Sequence, residues 1–237
     1  MQELTGLRER LAGIEERIAR ACQRAGRDRQ EVTLIGVSKT FPVTAIREGI
    51  EAGLRVLGEN KVQEAASKIP ELSQLCASHG VRWHLIGHLQ SNKVRRAIEL
   101  FSMIHSVDSL KLAERIDSIC GETGERMPIL LEVNLGGEET KAGIEPSAAL
   151  ELCEKIGQLP NLSLEGFMTI PPYSAAPEET RIHFRKLRSL RDEAIDLGIV
   201  SAGFTQLSMG MSHDFEVAIE EGATLIRVGT AIFGSRE

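Results

Sequence analysis

The chain has 237 residues, of which 42% are apolar and 26% are charged, and its formal net charge is −6. This composition is typical of a folded globular protein, and the negative charge argues against nucleic acid as a partner bound over the whole surface. The four cysteines form no Cys-x-x-Cys pair, and neither an apolar leader nor a run of ~18 apolar residues is present. We therefore expect a reduced, cytoplasmic protein with no metal site and no membrane partner.

An amphipathic helix is predicted at the start of the chain, over about residues 2–26. Its apolar residues recur at alternating spacings of three and four, which places them on one stripe: Leu4, Leu7, Leu11, Ile14, Ile18 and Ala21. Three heptads are the minimum for a coiled coil, so we expect this helix to pack on its own domain.

Short β-rich segments follow Arg27 and alternate with helical ones. The predicted strands are 32–38, 55–58, 83–86, 103–107, 128–133, 162–168, 205–208 and 225–228. The predicted helices between them are 43–52, 92–101, 109–120, 146–157, 180–197 and 214–221. Strands that alternate with helices indicate βαβ units and a parallel sheet.

Eight such units in ~200 residues predict an α/β fold, a single-domain (β/α)8 TIM barrel over residues 1–237. An open doubly wound sheet is the alternative. No Gly-x-Gly-x-x-Gly follows the first strand and no phosphate-binding Gly-x-x-x-x-Gly-Lys-Ser/Thr occurs, which argues against the nucleotide-binding forms of the open sheet.

Lys39 stands at the end of the first predicted strand, where catalytic groups of a barrel project. Apolar neighbours can desolvate a lysine amine, which then loses its proton and becomes a nucleophile toward an aldehyde. The alternative is a solvated lysine that only ends a strand.

Two connections, residues 136–141 and 171–177, follow the fifth and sixth strands and are rich in glycine or proline. In a barrel both lie on the C-terminal face, where active sites are built. Each is interpreted either as a mobile lid or as an exposed turn.

The loops after the seventh and eighth strands have the residue types of a phosphate site. Ser208 and Thr230 supply hydroxyls, and Gly210 and Gly229 allow close approach of the backbone. Barrels often bind phosphate at this position. Glycines also end strands for no functional reason, so that alternative stays open.

Arg227 lies among apolar residues in the last strand, where a guanidinium needs acceptors. A structural carboxylate, Glu132 or Glu165, is one candidate partner. The other is the ring nitrogen of pyridoxal phosphate, which proteins pair with an acidic residue or with arginine.

Five segments carry a family resemblance: GVSKT at 36–40, GEN at 58–60, WHLIGHLQSNK at 83–93, LSMGMSHD at 207–214 and RVGTAIFG at 227–234. Over nearly the whole chain they resemble the pyridoxal phosphate homeostasis protein family. The resemblance implies a barrel similar to the N-terminal domain of alanine racemase, and a monomer.

The resemblance also implies a role for each matching residue. Lys39 would hold pyridoxal 5′-phosphate as an internal aldimine, and Arg227 would face the pyridine nitrogen. The phosphate would be held by Ser208, Met209, Gly229 and Thr230, and the ring would be lined by Asn60 and Met168.

We therefore expect a protein that holds, buffers or delivers pyridoxal phosphate, with transient contact to apoenzymes that receive it and no substrate turnover. The racemases that this barrel resembles add a second domain and a tyrosine base, whereas the only tyrosine here, Tyr173, lies in the 171–177 loop. An amino-acid racemase or other weak pyridoxal enzyme is the second hypothesis. A third is an aldolase-type barrel in which Lys39 reacts with a sugar phosphate.

Two further groups have simpler explanations. His84 and His88 are four residues apart, but they fall on a predicted strand and its exit with no zinc-protease pattern. Lys93, Arg95 and Arg96 are interpreted as a solvated face of the helix after the third strand.

Overall fold

Eight parallel strands close into a barrel in the computed structural model, which describes residues 2–137 and 142–234. The strands are β1 (Thr33–Val37), β2 (Val56–Glu59), β3 (Arg82–Leu85), β4 (Met103–Val107), β5 (Met127–Glu132), β6 (Leu162–Met168), β7 (Gln206–Met211) and β8 (Leu225–Val228). They follow one another around the barrel in chain order, and β8 pairs with β1. The predicted TIM barrel is confirmed, and the open sheet is excluded.

Helices surround the barrel. Within the described residues they are α1 (Gln2–Arg24), α2 (Val43–Glu51), α3 (Val62–His79), α4 (Val94–Leu100), α5 (Leu110–Thr123), α6 (Pro146–Gly157), α7 (Arg181–Asp196), α8 (Phe215–Glu220) and α9 (Thr230–Phe233). Neither α3 nor α9 was among the predicted helices. Pro70 interrupts the pattern of α3, and α9 is a single turn. No helix in the described part of the chain is long and apolar enough to span a membrane.

The N-terminal helix packs on other helices of the barrel, mainly α8 and α9. The stripe residues with described side chains are all buried: Leu7, Leu11, Ile14, Ile18 and Ala21. Ion pairs at the edge of this contact join Arg17 to Glu216 at 3.0 Å and Arg24 to Glu220 at 2.6 Å. Because the partners lie on α8, the first helix braces the segment between the last two strands.

Apolar side chains form two separate clusters. The larger lies between strands and helices and includes Trp83, the single tryptophan. The smaller fills the inside of the barrel and consists of Ile35, Val56, Met103, Leu130, Met168 and Leu225. Since successive side chains of a strand alternate between faces, residues two positions further along these strands also face inward.

Glu132 is one of these inward-facing residues, two positions beyond Leu130 on β5, and it is buried, with 6% of the residue exposed. Burial raises the pKa of its carboxyl to about 7, although the charge of Arg227 acts in the opposite direction. Desolvation therefore outweighs attraction at this position.

Replacement of Glu132 by Gln should remove a pH-dependent loss of stability. The carboxyl binds its proton more tightly in the folded chain than in the unfolded one, so wild type loses stability as pH rises from about 4.5 to about 7. The Glu132→Gln protein should lack this loss and gain up to about 3 kcal/mol relative to wild type between pH 5 and pH 8.

Urea unfolding at the two pH values measures the difference, with Glu114→Gln on the exposed face of α5 as the control. A stability difference between Glu132→Gln and wild type that is equal at pH 5 and pH 8 would contradict the assignment.

Candidate functional site

Closure of the barrel brings Lys39 beside the loop after β8. Gly36 pairs with Val228 in the β1–β8 register, and a Cβ added to Gly229 would lie 3.3 Å from the Val37 side chain and carbonyl. Lys39, two residues beyond Val37, is half-buried at the C-terminal mouth of the barrel. The predicted nucleophile and the predicted phosphate loop therefore meet at one site.

A serine that the sequence analysis did not select occupies the centre of this loop cluster. The Ser212 hydroxyl accepts hydrogen bonds from the backbone N–H of Gly229 at 3.2 Å and of Ala231 at 3.4 Å. Thr230, between them, begins α9 and is exposed. Backbone amides that converge on one oxygen form a concavity suited to an anion.

Ser208 lies deeper, inside the barrel. Its hydroxyl accepts a 2.6 Å hydrogen bond from Arg227 Nη1 and lies 2.9 Å from His105 Nδ1. The predicted strand ended at Ser208, whereas β7 continues to Met211, so the exit loop begins later than expected. Phosphate contact by Ser208 stays a prediction, and in this structure its hydroxyl binds Arg227.

The Arg227 guanidinium is buried and uses uncharged acceptors. Besides Ser208, it donates from Nη2 to the Thr169 carbonyl at 2.8 Å. Burial lowers its pKa to about 10, while the charges of Glu132 and Asp214 act to raise it. Glu132 is one of the two carboxylates considered as partners. It is not among the described hydrogen-bond acceptors of Arg227 and acts on the guanidinium through its charge.

The other carboxylate, Glu165, has a different environment. Burial raises its pKa, and a hydrogen bond with Ser163 and the charge of Arg82 act in the opposite direction. Arg82 begins β3, at the end of the barrel opposite to Lys39. Glu165 is therefore not the partner of Arg227.

A pair of histidines extends the polar chain below Arg227. His105 Nε2 is 3.0 Å from His84 Nδ1. Burial lowers the pKa of His84 to about 3 and holds that of His105 well below its ordinary value, where the charge of Arg227 acts in the same direction. Both rings are therefore neutral near pH 7. Arg227 carries the positive charge in this series of hydrogen-bonded side chains.

His88 is separate from this chain of hydrogen bonds, with a side chain 60% exposed and 3.5 Å from Asp108. Within residues 2–137 and 142–234, no three His, Cys, Asp or Glu side chains are grouped in a way that could hold a metal ion.

The remaining predicted ring and phosphate residues divide between the two faces of the barrel wall. Met168 is buried in the interior cluster. Asn60 follows β2 and is half-buried, and its Oδ1 is buried with no hydrogen-bond partner among the described residues. Met209 packs in the outer cluster, so its side chain faces the helices, and its contact with phosphate stays a prediction.

The two glycine- and proline-rich loops contact each other over the mouth. A Cβ on Gly136 would come within 2.8 Å of Pro172. Tyr173 is 81% exposed, and its ring centroid is 5.6 Å from that of His213. Residues 138–141 of the first predicted loop lie outside the described residues. Whether either loop acts as a lid stays a prediction.

The alanine racemase N-terminal domain family matches residues 10–237. The pyridoxal phosphate homeostasis protein of Aquifex aeolicus is 48% identical over 229 residues, which cover 97% of this chain and 98% of that protein.

Two solved structures are also similar. PipY of Synechococcus elongatus, solved with PLP bound, has a TM-score of 0.83 at 41% identity and covers 96% of this chain and 100% of its own. The alanine racemase of Clostridium difficile, with a TM-score of 0.71 at 16% identity over 97% of this chain and 56% of its own, shares the fold alone. The chain therefore belongs to the alanine racemase N-terminal domain family and, within it, to the pyridoxal phosphate homeostasis proteins.

Proposed function

We propose that this protein binds pyridoxal 5′-phosphate at the barrel mouth, with Lys39 as its covalent attachment point, and that it holds, buffers or delivers the cofactor. The observation that carries the proposal is that barrel closure places Val37, two residues before Lys39, beside Gly229. The Gly229 N–H converges with that of Ala231 on Ser212, and Arg227 is buried on the same strand as this loop. An amine, an anion site and a ring-nitrogen partner are what this cofactor requires.

The described residues fit the cofactor at three points. The backbone N–H groups of Gly229 and Ala231 donate to the Ser212 hydroxyl in this structure, and they can donate to phosphate oxygens instead. The buried Oδ1 of Asn60 lacks a partner among the described residues, so it is available to a donor on a ligand. Arg227 has five N–H donors, and its described contacts use two.

When bound, the cofactor supplies an aldehyde that condenses with an amine. The residues of the chain bind the cofactor and orient it. Ser212, Gly229 and Thr230 would hold the phosphate and so orient the ring toward Lys39. Met168 would shield one part of the ring from water inside the barrel. Arg227 would donate a hydrogen bond to the ring nitrogen.

The charge of Arg227 favours a carrier of pyridoxal phosphate over an enzyme that turns over a substrate. Its pKa of about 10 keeps it protonated at neutral pH, and a neighbouring cation opposes protonation of the ring nitrogen, which weakens the ring as an electron sink. Tyr173, the single tyrosine, is 81% exposed at the mouth and so is poorly placed as a buried base. We therefore favour a non-enzymatic role over a racemase.

Delivery would take place in the cytoplasm by transient contact between the mouth and an apoenzyme, with this chain acting as a monomer. Exposed Ile170 and Tyr173 lie on the loop beside the mouth and offer an apolar rim for such a contact.

Borohydride reduction of the loaded protein should fix the cofactor on Lys39. Lys39→Ala should lose the visible absorption of the bound cofactor and keep weaker binding through the phosphate contacts, whereas Lys61→Ala, an exposed lysine after β2, should behave as wild type. Peptide mapping after reduction identifies the site. An adduct found only on another lysine would rule out the assignment.

Ser212→Ala should weaken binding of pyridoxal phosphate by about 1.5 to 3 kcal/mol, the value of a charge-assisted hydrogen bond. Its affinity for pyridoxal, which lacks the phosphate, should be unchanged. Ser208→Ala tests the predicted phosphate contact of Ser208: such a contact gives a loss for pyridoxal phosphate alone, whereas a role through Arg227 gives an equal loss for both ligands. Titration of each variant with both ligands makes the comparison, and an equal loss for both ligands in Ser212→Ala would place Ser212 away from the phosphate.

A further inference from the structure

Three charged side chains form a cluster behind the turn that carries Lys39, and we call this cluster the β1 clamp: Glu59, Glu64 and Lys68. Glu59 ends β2, and Glu64 and Lys68 lie one helical turn apart on α3. Lys68 Nζ is 2.9 Å from Glu59 Oε1 and 2.6 Å from Glu64 Oε1. The ammonium thus joins a strand end to the following helix.

The β1 clamp binds the backbone on both sides of Lys39. Lys68 Nζ donates to the Ser38 carbonyl at 2.9 Å, and the Ser38 hydroxyl donates to Glu59 at 2.8 Å. On the other side, the Thr40 N–H donates to Glu64 Oε1 at 2.5 Å. The residues before and after Lys39 are therefore both held by the same cluster.

Thr40 needs such support because its backbone is strained. Its φ is +68°, and among the described residues it is the one non-glycine position with a positive φ. The left-handed conformation costs a β-carbon residue about 1 to 2 kcal/mol and persists where surrounding contacts impose it. Two hydrogen bonds hold Thr40 in this conformation: its own N–H donates to Glu64, and the Phe41 N–H donates to the Ser38 carbonyl at 3.1 Å and closes the turn.

Burial of the charged side chains of the β1 clamp costs free energy of folding. Glu59 is fully buried and Lys68 is 7% exposed, and Glu59 Oε2 has no hydrogen-bond partner among the described residues. Burial raises the pKa of Glu59 despite its bonds from Lys68 and Ser38. Burial acts to raise the pKa of Glu64 as well, but the hydrogen bonds from Lys68 and Thr40 outweigh it, so the pKa of Glu64 is lowered. A buried ion cluster of this kind contributes little net stability and specifies one conformation.

We propose that Glu64 and Lys68 are positioning residues that fix the direction of the Lys39 side chain for covalent attachment of the cofactor. The inference rests on the proposed function. Attachment joins Lys39 Nζ to the aldehyde carbon and releases the aldehyde oxygen as water, with both hydrogens of that water coming from the neutral amine. The rate depends on the angle at which the amine meets the aldehyde, and the backbone at Ser38 and Thr40 sets that angle.

The test separates attachment from binding with two ligands. Pyridoxal phosphate reports the rate of attachment by its absorbance, and pyridoxamine phosphate, which has no aldehyde, reports non-covalent affinity alone. Lys68→Met should slow attachment about 10- to 100-fold, the loss expected when a reacting group is misplaced by about 1 Å. Its affinity for pyridoxamine phosphate should fall much less than the attachment rate, since the proposed contacts with phosphate and ring lie on other strands, except for Asn60 after β2.

Glu64→Ala is the second variant, because it leaves the buried Lys68 and Glu59 pair intact and removes the acceptor of the Thr40 N–H. It should slow attachment in the same way. Lys111→Met, at an exposed position on α5, is the control and should match wild type. Thermal unfolding of each apoprotein establishes that the variants are folded.

The outcomes distinguish the two proposals. Wild type that forms no adduct on Lys39 overturns the proposed function itself. Wild type that reacts, together with folded clamp variants that react at the same rate, overturns the positioning role. An equal loss of attachment rate and of pyridoxamine phosphate affinity also overturns it, because it shows general damage to the site.

Discussion

Pairing of the first strand with the last is the constraint on which the site depends. The Thr33 N–H donates to the Thr224 carbonyl at 2.7 Å, and Ile35 lies beside Arg227 in the register. This pairing closes the sheet, so that neither β1 nor β8 remains an edge. It also sets the depth of Arg227 relative to Lys39, because Arg227 lies on β8 and Lys39 follows the end of β1 by two residues. A slip of one residue would turn one of the two side chains out of the barrel.

The interior of the barrel is organised by charge as well as by packing. One permanent cation, Arg227, lies above two neutral imidazoles and near one carboxyl with a pKa of about 7. The acceptors of Arg227 are a serine hydroxyl and a backbone carbonyl, and neither carries a charge. The positive charge of the guanidinium therefore still acts toward the mouth. A carboxylate bound directly to it would have neutralised that effect. The chain can thus bury an arginine and still present positive charge to a ligand.

Residues that break a local pattern were predictable from the sequence, and residues defined by their neighbours were not. Lys39 ends an apolar strand and Arg227 interrupts one, so both could be identified along with the barrel. Ser212 could not be distinguished from Ser208, because the choice depends on where β7 ends. That strand continues through Gly210, at φ +88°, where a Cβ would lie 2.5 Å from the Ala218 side chain. Lys68 was missed with the whole of α3, and its role depends on contacts with Ser38 and Glu59 that no spacing reveals.

The placement of the two rare aromatic residues gives the protein separate optical reporters. The chain has one tryptophan and one tyrosine. Trp83 is buried in the barrel wall, and Tyr173 is exposed beside His213 at the mouth. Tryptophan emission therefore reports the integrity of the wall and energy transfer to any coloured ligand in the barrel, whereas tyrosine emission reports events at the rim. Excitation at wavelengths that only tryptophan absorbs therefore separates the signal of the wall from that of the rim in one unlabelled sample.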